Sequence, residues 1–275
     1  MGSSEPDAVV GIGVAAAEEG LRLSAEAGWN QTEADWRFLL TAGHGLGVRD
    51  ADGCLIGSAV VLPYSRWAWV GMVLVTAAQR RRGIATALMR SALNLCDERG
   101  WIAGLDATAA GVAVYAPLGF RAIAGLTRWR APEPRPAAIG RVPAMPTGDA
   151  ERAAATDAAA FGAARPALLR HMAEVGRLSL GERTLVCMRP GRTAGHVGPV
   201  VAADEATAIA LVDLALAARN GPALIDAFDD GSELAEALRR RGFAPERPFT
   251  RMLRGPAPQP VGPVRLYAAA GPEVG

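Results

Sequence analysis

Residues Val73 to Met89 carry an apolar, β-branched strand end through a short basic turn and into a helix. The strand reading covers Val70 to Val75. The helix reading rests on Ile84, Leu88 and Leu95, which recur at helical spacing. Between them lies Arg80-Arg-Arg-Gly-Ile-Ala85. A strand, a tight turn with a glycine and a helix start together present bare backbone N–H groups to an anion. Gly83 lets a ligand approach the main chain without a Cβ in the way, Ala85 keeps the next approach small, and the arginines add charge. The pattern predicts a pyrophosphate site.

A second motif follows downstream. Tyr115-Ala-Pro-Leu-Gly-Phe120 comes after a strand-like run, Ile102 to Ala107. With Arg80, Gly83 and Ala85 as Arg-x-x-Gly-x-Gly/Ala, and Tyr115, Gly119 and Phe120 as Tyr-x-x-x-Gly-Phe, the chain resembles the GNAT acyltransferase superfamily. The resemblance implies acetyl-CoA, or another short acyl-CoA, as co-substrate. It places that donor along Val73, Leu74 and Val75 and on the turn Arg80, Arg81, Arg82, Gly83, Ile84, Ala85 and Thr86. Thr108 and Tyr115 complete the expected donor contacts.

Composition sets the frame. At 275 residues the chain accommodates two domains, each able to bury a core. The net charge of +1 argues for neither nucleic acid nor membrane as partner. All 29 basic residues are arginine, read here as a genomic habit. Cys54, Cys96 and Cys187 show no ligand spacing, and with His44, His171 and His196 they predict no metal site. Neither a leader segment nor an apolar run of spanning length is read, so a cytoplasmic protein is expected, as monomer or homodimer.

Taken in order, Ala15 to Ala27 reads as a first helix, and Asn30 or Thr32 can cap a second carrying Trp36, Leu39 and Leu40 inward. In the GNAT arrangement these helices lie over the acceptor pocket, which makes Trp29, Asn30 and Gln31 substrate candidates; core packing and capping are their alternative roles. Strands are expected near Leu46–Arg49, Cys54–Leu62, Trp67–Val75 and Trp101–Ala107, with Phe120–Ile123 and Leu126–Arg130 closing the domain. Pro132, Pro134, Pro136, Pro143 and Pro146 then mark a semi-rigid linker. The expected division is a catalytic domain over 1–131, a linker over 132–148 and a second domain over 149–275.

Beyond the linker the sequence echoes itself. Val70-Gly71-Met-Val-Leu-Val75 returns as Val197-Gly198-Pro-Val-Val201, Leu105-Asp106-Ala107 as Ile225-Asp226-Ala227, and Thr127-Arg128-Trp129 as Thr250-Arg251-Met252. The interval from Gly198 to Asp226 is seven residues shorter than that from Gly71 to Asp106, and the deficit falls where the arginine turn belongs. Asp204 and Glu205 stand there instead, and Leu238 replaces the tyrosine. The expectation is an α/β protein of two tandem GNAT folds, each a twisted mixed sheet flanked by helices. The second fold would have a degenerate cofactor site and would shape or cover the acceptor site. Phe161-Gly-Ala-Ala-Arg165, Arg189-Pro-Gly191 and Gly198-Pro-Val-Val201 resemble the C-terminal module of bacterial tandem GNAT proteins.

Transfer of an acyl group to an amine needs oxyanion donors and a proton for the departing thiolate. The resemblance assigns the first to a bulged strand around Val73 and Leu74 and the second to Tyr115. No carboxylate lies between Trp67 and Val75, so Asp106 remains as candidate base or water anchor; a structural strand-end carboxylate is the competing role. The expected activity is N-acetylation of a small-molecule or peptide amine in a ternary complex. The rival is a non-catalytic acyl-CoA sensor.

Overall fold

The computed structural model describes residues 8–137, 150–218, 220–257 and 262–275. It forms two compact units, Met1–Gly104 and Leu105–Gly275. In the first, β1 (Val10–Ile12) leads through a 3₁₀ turn to α1 (Ala17–Glu26) and α2 (Glu33–Ala42). Then follow β2 (His44–Arg49), β3 (Leu55–Tyr64), β4 (Trp67–Val75), α3 (Ile84–Arg99) and the start of β5 (Ile102–Ala107). Strands β1 to β4 are antiparallel neighbours in order, and β5 joins parallel to β4 from Trp67↔Ile102 to Trp69↔Gly104. Thr32, not Asn30, caps α2: its hydroxyl accepts from the Asp35 amide, and Asp35 accepts from the Thr32 amide at 2.7 Å. Trp36 is fully buried and donates to Ser24 Oγ at 2.8 Å, which ties α2 to α1.

The second unit holds α4 (Ala109–Tyr115), β6 (Arg121–Ala131), α5 (Ala150–Phe161), α6 (Pro166–Val175), β7 (Arg177–Leu180), β8 (Leu185–Arg189) and β9 (Gly195–Ala202). It continues through α7 (Glu205–Ala217), β10 (Ala223–Phe228), α8 (Ser232–Arg240), β11 (Ala244–Arg254) and β12 (Arg265–Ala268). Its strands run β11-β6-β10-β12-β9-β8-β7. Along the chain the succession α1, α2, β2, β3, β4, α3, β5, α4, β6 recurs as α5, α6, β7, β8, β9, α7, β10, α8, β11. The sequence echo is thus a repeat of the whole element order.

The contacts divide the chain inside β5, earlier than the Pro-rich segment. The cause is β6, which ends the first repeat yet hydrogen-bonds on one edge to β10 and on the other to β11. Of the expected linker, 138–148 lies outside the described residues. The part before it is pinned: the Arg135 amide donates to the Arg241 carbonyl at 3.0 Å and the Ala137 amide to Asp213 at 3.0 Å. The two short strands expected around Gly125 are one strand of eleven residues. Gly125 does not break it; a Cβ there would meet Asp229 Oδ2 at 2.3 Å, so the glycine makes room for that carboxylate, which accepts from Thr127 at 2.7 Å.

Candidate active site

The expected site residues fall in both units. In the first, α3 packs Ile84 and Leu88 into a cluster with Val48, Ile56 and Ala59, against which Val73 and Val75 also rest. Leu93 and Cys96 rather than Leu95 complete the inner face. This packing fixes the N-terminus of α3. Arg81 (φ 63°) and Gly83 (φ 82°) both take left-handed backbone conformations in an exposed turn. Gly83 is the N-cap and contributes no side chain, and the first turn of α3 holds no acidic residue. The leading amides of α3 therefore have no intrahelical acceptor and no cap, the condition for binding an anion. A Cβ on Gly83 would meet nothing within 4 Å, so it is the left-handed backbone and not crowding that favours glycine here. The turn is held from behind by Glu26, which accepts from the Ala77 amide at 2.6 Å and from Thr76 Oγ1 at 2.8 Å.

The expected bulge is present in β4. Ser58 pairs with Leu74 and Val60 with Gly71, so Met72 and Val73 together oppose Ala59. Met72 carries the distortion at φ 54°, a conformation costing about 1–2 kcal/mol for a non-glycine residue. Its carbonyl is recovered by the Ser58 hydroxyl, which donates to it at 2.9 Å in the core. Neither residue carried a sequence signal for this role. Leu74 is buried on the opposite face from Val73 and Val75. Of the acceptor candidates, Trp29 is half-buried, and Asn30 and Gln31 are buried. Gln31 Oε1 is sealed and finds no donor among the described residues.

In the second unit, Thr108 caps α4, accepting from the Gly111 amide at 3.3 Å. Tyr115 ends that helix, half-buried, its ring 6.1 Å from that of Phe120 and tilted 56° to it. Gly111 lies under the ring, where a Cβ would approach to 2.8 Å. Burial pushes the phenol above its ordinary value, so it keeps its proton at neutral pH.

Asp106 lies in a buried ion pair. Both its oxygens accept from Arg251, Nε at 2.9 Å and Nη2 at 2.8 Å, and the side chain has no exposure. With no exposure and each oxygen bound to the Arg251 guanidinium, Asp106 has the contacts of the competing structural role, while burial pushes its carboxyl above the ordinary value against the pull of Arg251. The same bond recurs in the echo: Arg128 grips Asp226 with Nε at 2.7 Å and Nη2 at 2.8 Å. Each arginine belongs to the opposite repeat from its aspartate. That reciprocity follows from β6 lying between β10 and β11, and the paired echoes Asp106/Asp226 and Arg128/Arg251 were its signal in the sequence.

Asp226 has a further neighbour, His196, whose Nε2 stands 3.2 Å away. Burial opposes its ionised form, but Arg128 and His196 outweigh that and hold its carboxyl well below the usual carboxylate range. A depressed folded-state pKa means stabilisation that is present above the unfolded value, about 3.9, and is lost as pH falls below it. Asp226→Asn removes one partner of a buried pair and is expected to cost about 3–5 kcal/mol at pH 7. Urea titrations should also show wild-type stability dropping more steeply than the variant's below about pH 4. Equal stability of the two proteins at pH 7 would contradict the assignment.

Where the second repeat should carry an arginine turn, Asp204 caps α7 instead, accepting from the Thr207 amide at 2.7 Å. Its carboxylate occupies the place an anion would take. Leu238, at the tyrosine position, is fully buried in an apolar core beside Leu234 and Phe243. Among the described residues no group of three or more His, Cys, Asp or Glu could hold a metal ion, and no helix is long and apolar enough to cross a membrane.

Comparison with known proteins assigns the chain to a family. Residues 16–120 match the acetyltransferase (GNAT) family and residues 153–268 an acetyltransferase (GNAT) domain, together most of the chain. An uncharacterized N-acetyltransferase of Bacillus subtilis, YitH, is 23% identical over 238 residues, covering 81% of this chain and 83% of that protein. A putative acetyltransferase from Pyrococcus horikoshii superposes with a TM-score of 0.82 over 100% of this chain and 98% of that one, at 19% identity. A tandem GNAT protein from the clavulanic acid biosynthesis pathway gives 0.63 over 91% and 99%, at 18% identity. The chain belongs to the GNAT acyltransferase superfamily and carries two of its domains in tandem.

Proposed function

We propose that the chain is an acyl-CoA-dependent N-acyltransferase that moves an acetyl or similarly short group onto a small-molecule or peptide amine. The observation that carries this reading is the contrast between two equivalent helix starts. The α3 turn, with Gly83 and Arg81 left-handed, leaves its amides uncapped, whereas Asp204 closes α7. Arg80, Arg81, Arg82, Gly83, Ile84, Ala85 and Thr86 would hold the donor's pyrophosphate through backbone amides and charge. The bulge at Met72–Val73 shifts the β3–β4 register just ahead of Leu74 and Val75, and along these two residues and Val73 the donor would lie. Trp29, Asn30 and Gln31 are the acceptor candidates, of which Trp29 is the half-buried one and Asn30 and Gln31 are buried.

The reaction forms a C–N bond and breaks the C–S bond; the amine loses one proton and the thiolate gains one. To Tyr115 the reading assigns the donation to sulfur. Its raised pKa suits a hydrogen-bond donor that stays protonated throughout the working range. Support comes from its place in the Tyr-x-x-x-Gly-Phe motif and from a hydroxyl that makes no hydrogen bond among the described residues. The test is to incubate the protein with acetyl-CoA and a panel of amines and to follow free thiol. Amine-dependent thiol release is expected; donor binding without release from any amine would favour the sensor.

A further inference from the structure

Strands β9 and β10 pair in parallel only from Gly195↔Ala223 to Val197↔Ile225. They correspond in the repeat to β4 and β5. Beyond that point β12 enters between them, with Leu266↔Val201 and Ala268↔Val200 on one edge and Ala227↔Ala268 on the other. The Ala269 amide then donates to the Asp226 carbonyl at 2.9 Å. At Gly198 a Cβ would lie 2.0 Å from the Ala269 carbonyl oxygen, so only glycine admits the segment there.

Three segments singled out in the second repeat converge on the same stretch. Besides Gly198, Arg189 Nη2 donates to Glu273 at 2.7 Å and to the Ala270 carbonyl at 3.4 Å. Arg165 donates to the Val274 carbonyl at 3.0 Å and to that of Gly275. Arg165 is itself fixed by Asp157 at 2.7 and 2.8 Å and by stacking 3.7 Å from the Phe161 ring centre. Ala268, Ala269 and Ala270 have no exposure, and Glu273 has 5%. Main-chain bonds to two flanking strands, two arginines reading carbonyls and one carboxylate, and a glycine cleared for close approach are the marks of a peptide site.

We propose that the second repeat has replaced donor binding with capture of its own chain: residues 265–275 are the resident ligand of the cleft between β9 and β10. The proposal rests on the reading that the donor lies along β4 in the first repeat. The cleft takes an extended peptide because both its walls are strand edges that need N–H and C=O partners. An acyl-CoA cannot share it, and α7 offers its pyrophosphate a carboxylate.

Hydrogen exchange on the full chain tests this without donor or acceptor, so it is independent of the acyltransferase result. The amides of residues 266–271 and 273–275 should exchange at least about a hundredfold more slowly than in the free peptide of the same sequence. Gly198→Ala should accelerate them by about tenfold or more while the 73–89 region keeps its wild-type rate. Peptide-like exchange of these amides in the wild type would overturn the proposal, as would unchanged protection in Gly198→Ala. If that variant exchanges throughout, the wild-type profile alone decides.

Discussion

Tyr115→Phe is expected to lower kcat by roughly 10²–10⁴-fold, the range for a positioned general acid, while leaving the Kd for acetyl-CoA within about twofold. A thiolate leaves poorly from an amine adduct unless a proton or a strong hydrogen bond meets the sulfur. On the proposed reading the Tyr115 phenol would supply it; its ring stands 6.1 Å from that of Phe120 and packs against Gly111. Removing only the oxygen keeps those ring contacts, so the fold and donor affinity should survive. Single-turnover thiol release measures the effect where chemistry limits the rate. A change below twofold there would make Tyr115 a packing residue.

Gly83→Val should abolish useful donor binding. At φ 82° a valine is strained, and its branched side chain would crowd a donor held against the leading amides of α3. Either the ligand is excluded or the turn swings to negative φ and the amides no longer converge. Charge-assisted hydrogen bonds contribute about 1.5–3 kcal/mol each, so losing two of them raises Kd by roughly 10²-fold or more. The folded-state cost should stay near the backbone strain, about 1–3 kcal/mol, because no neighbouring atom is struck. Calorimetry on the folded variant reads this directly; near-normal affinity would remove the turn from the donor site.

Much of this was legible in the residues because local chemistry decided it. Gly83 opens α3 as the basic-turn pattern implies, and β4 runs over the predicted Trp67–Val75. The degenerate turn of the second repeat was also readable, since Asp204 is both a poor phosphate neighbour and a good N-cap. What escaped were pairings set by distant segments. Nothing local at Arg121–Ala131 says that this strand will lie between β10 and β11, and without that placement Asp106 reads as a cleft carboxylate rather than as the partner of Arg251. A fragment ending near Arg130 would leave Asp106 without its guanidinium and both edges of β6 without their strands. Met72 was equally silent, because its left-handed conformation is imposed by the bulge against Ala59.

On the proposed reading each chain carries one donor cradle, at the α3 turn, and the second repeat carries none. Calorimetric titration of the full-length wild type with acetyl-CoA tests that most directly. The expected result is a single site with a stoichiometry of one per chain, lost in Gly83→Val. Two sites per chain, or no binding by the folded protein, would contradict it.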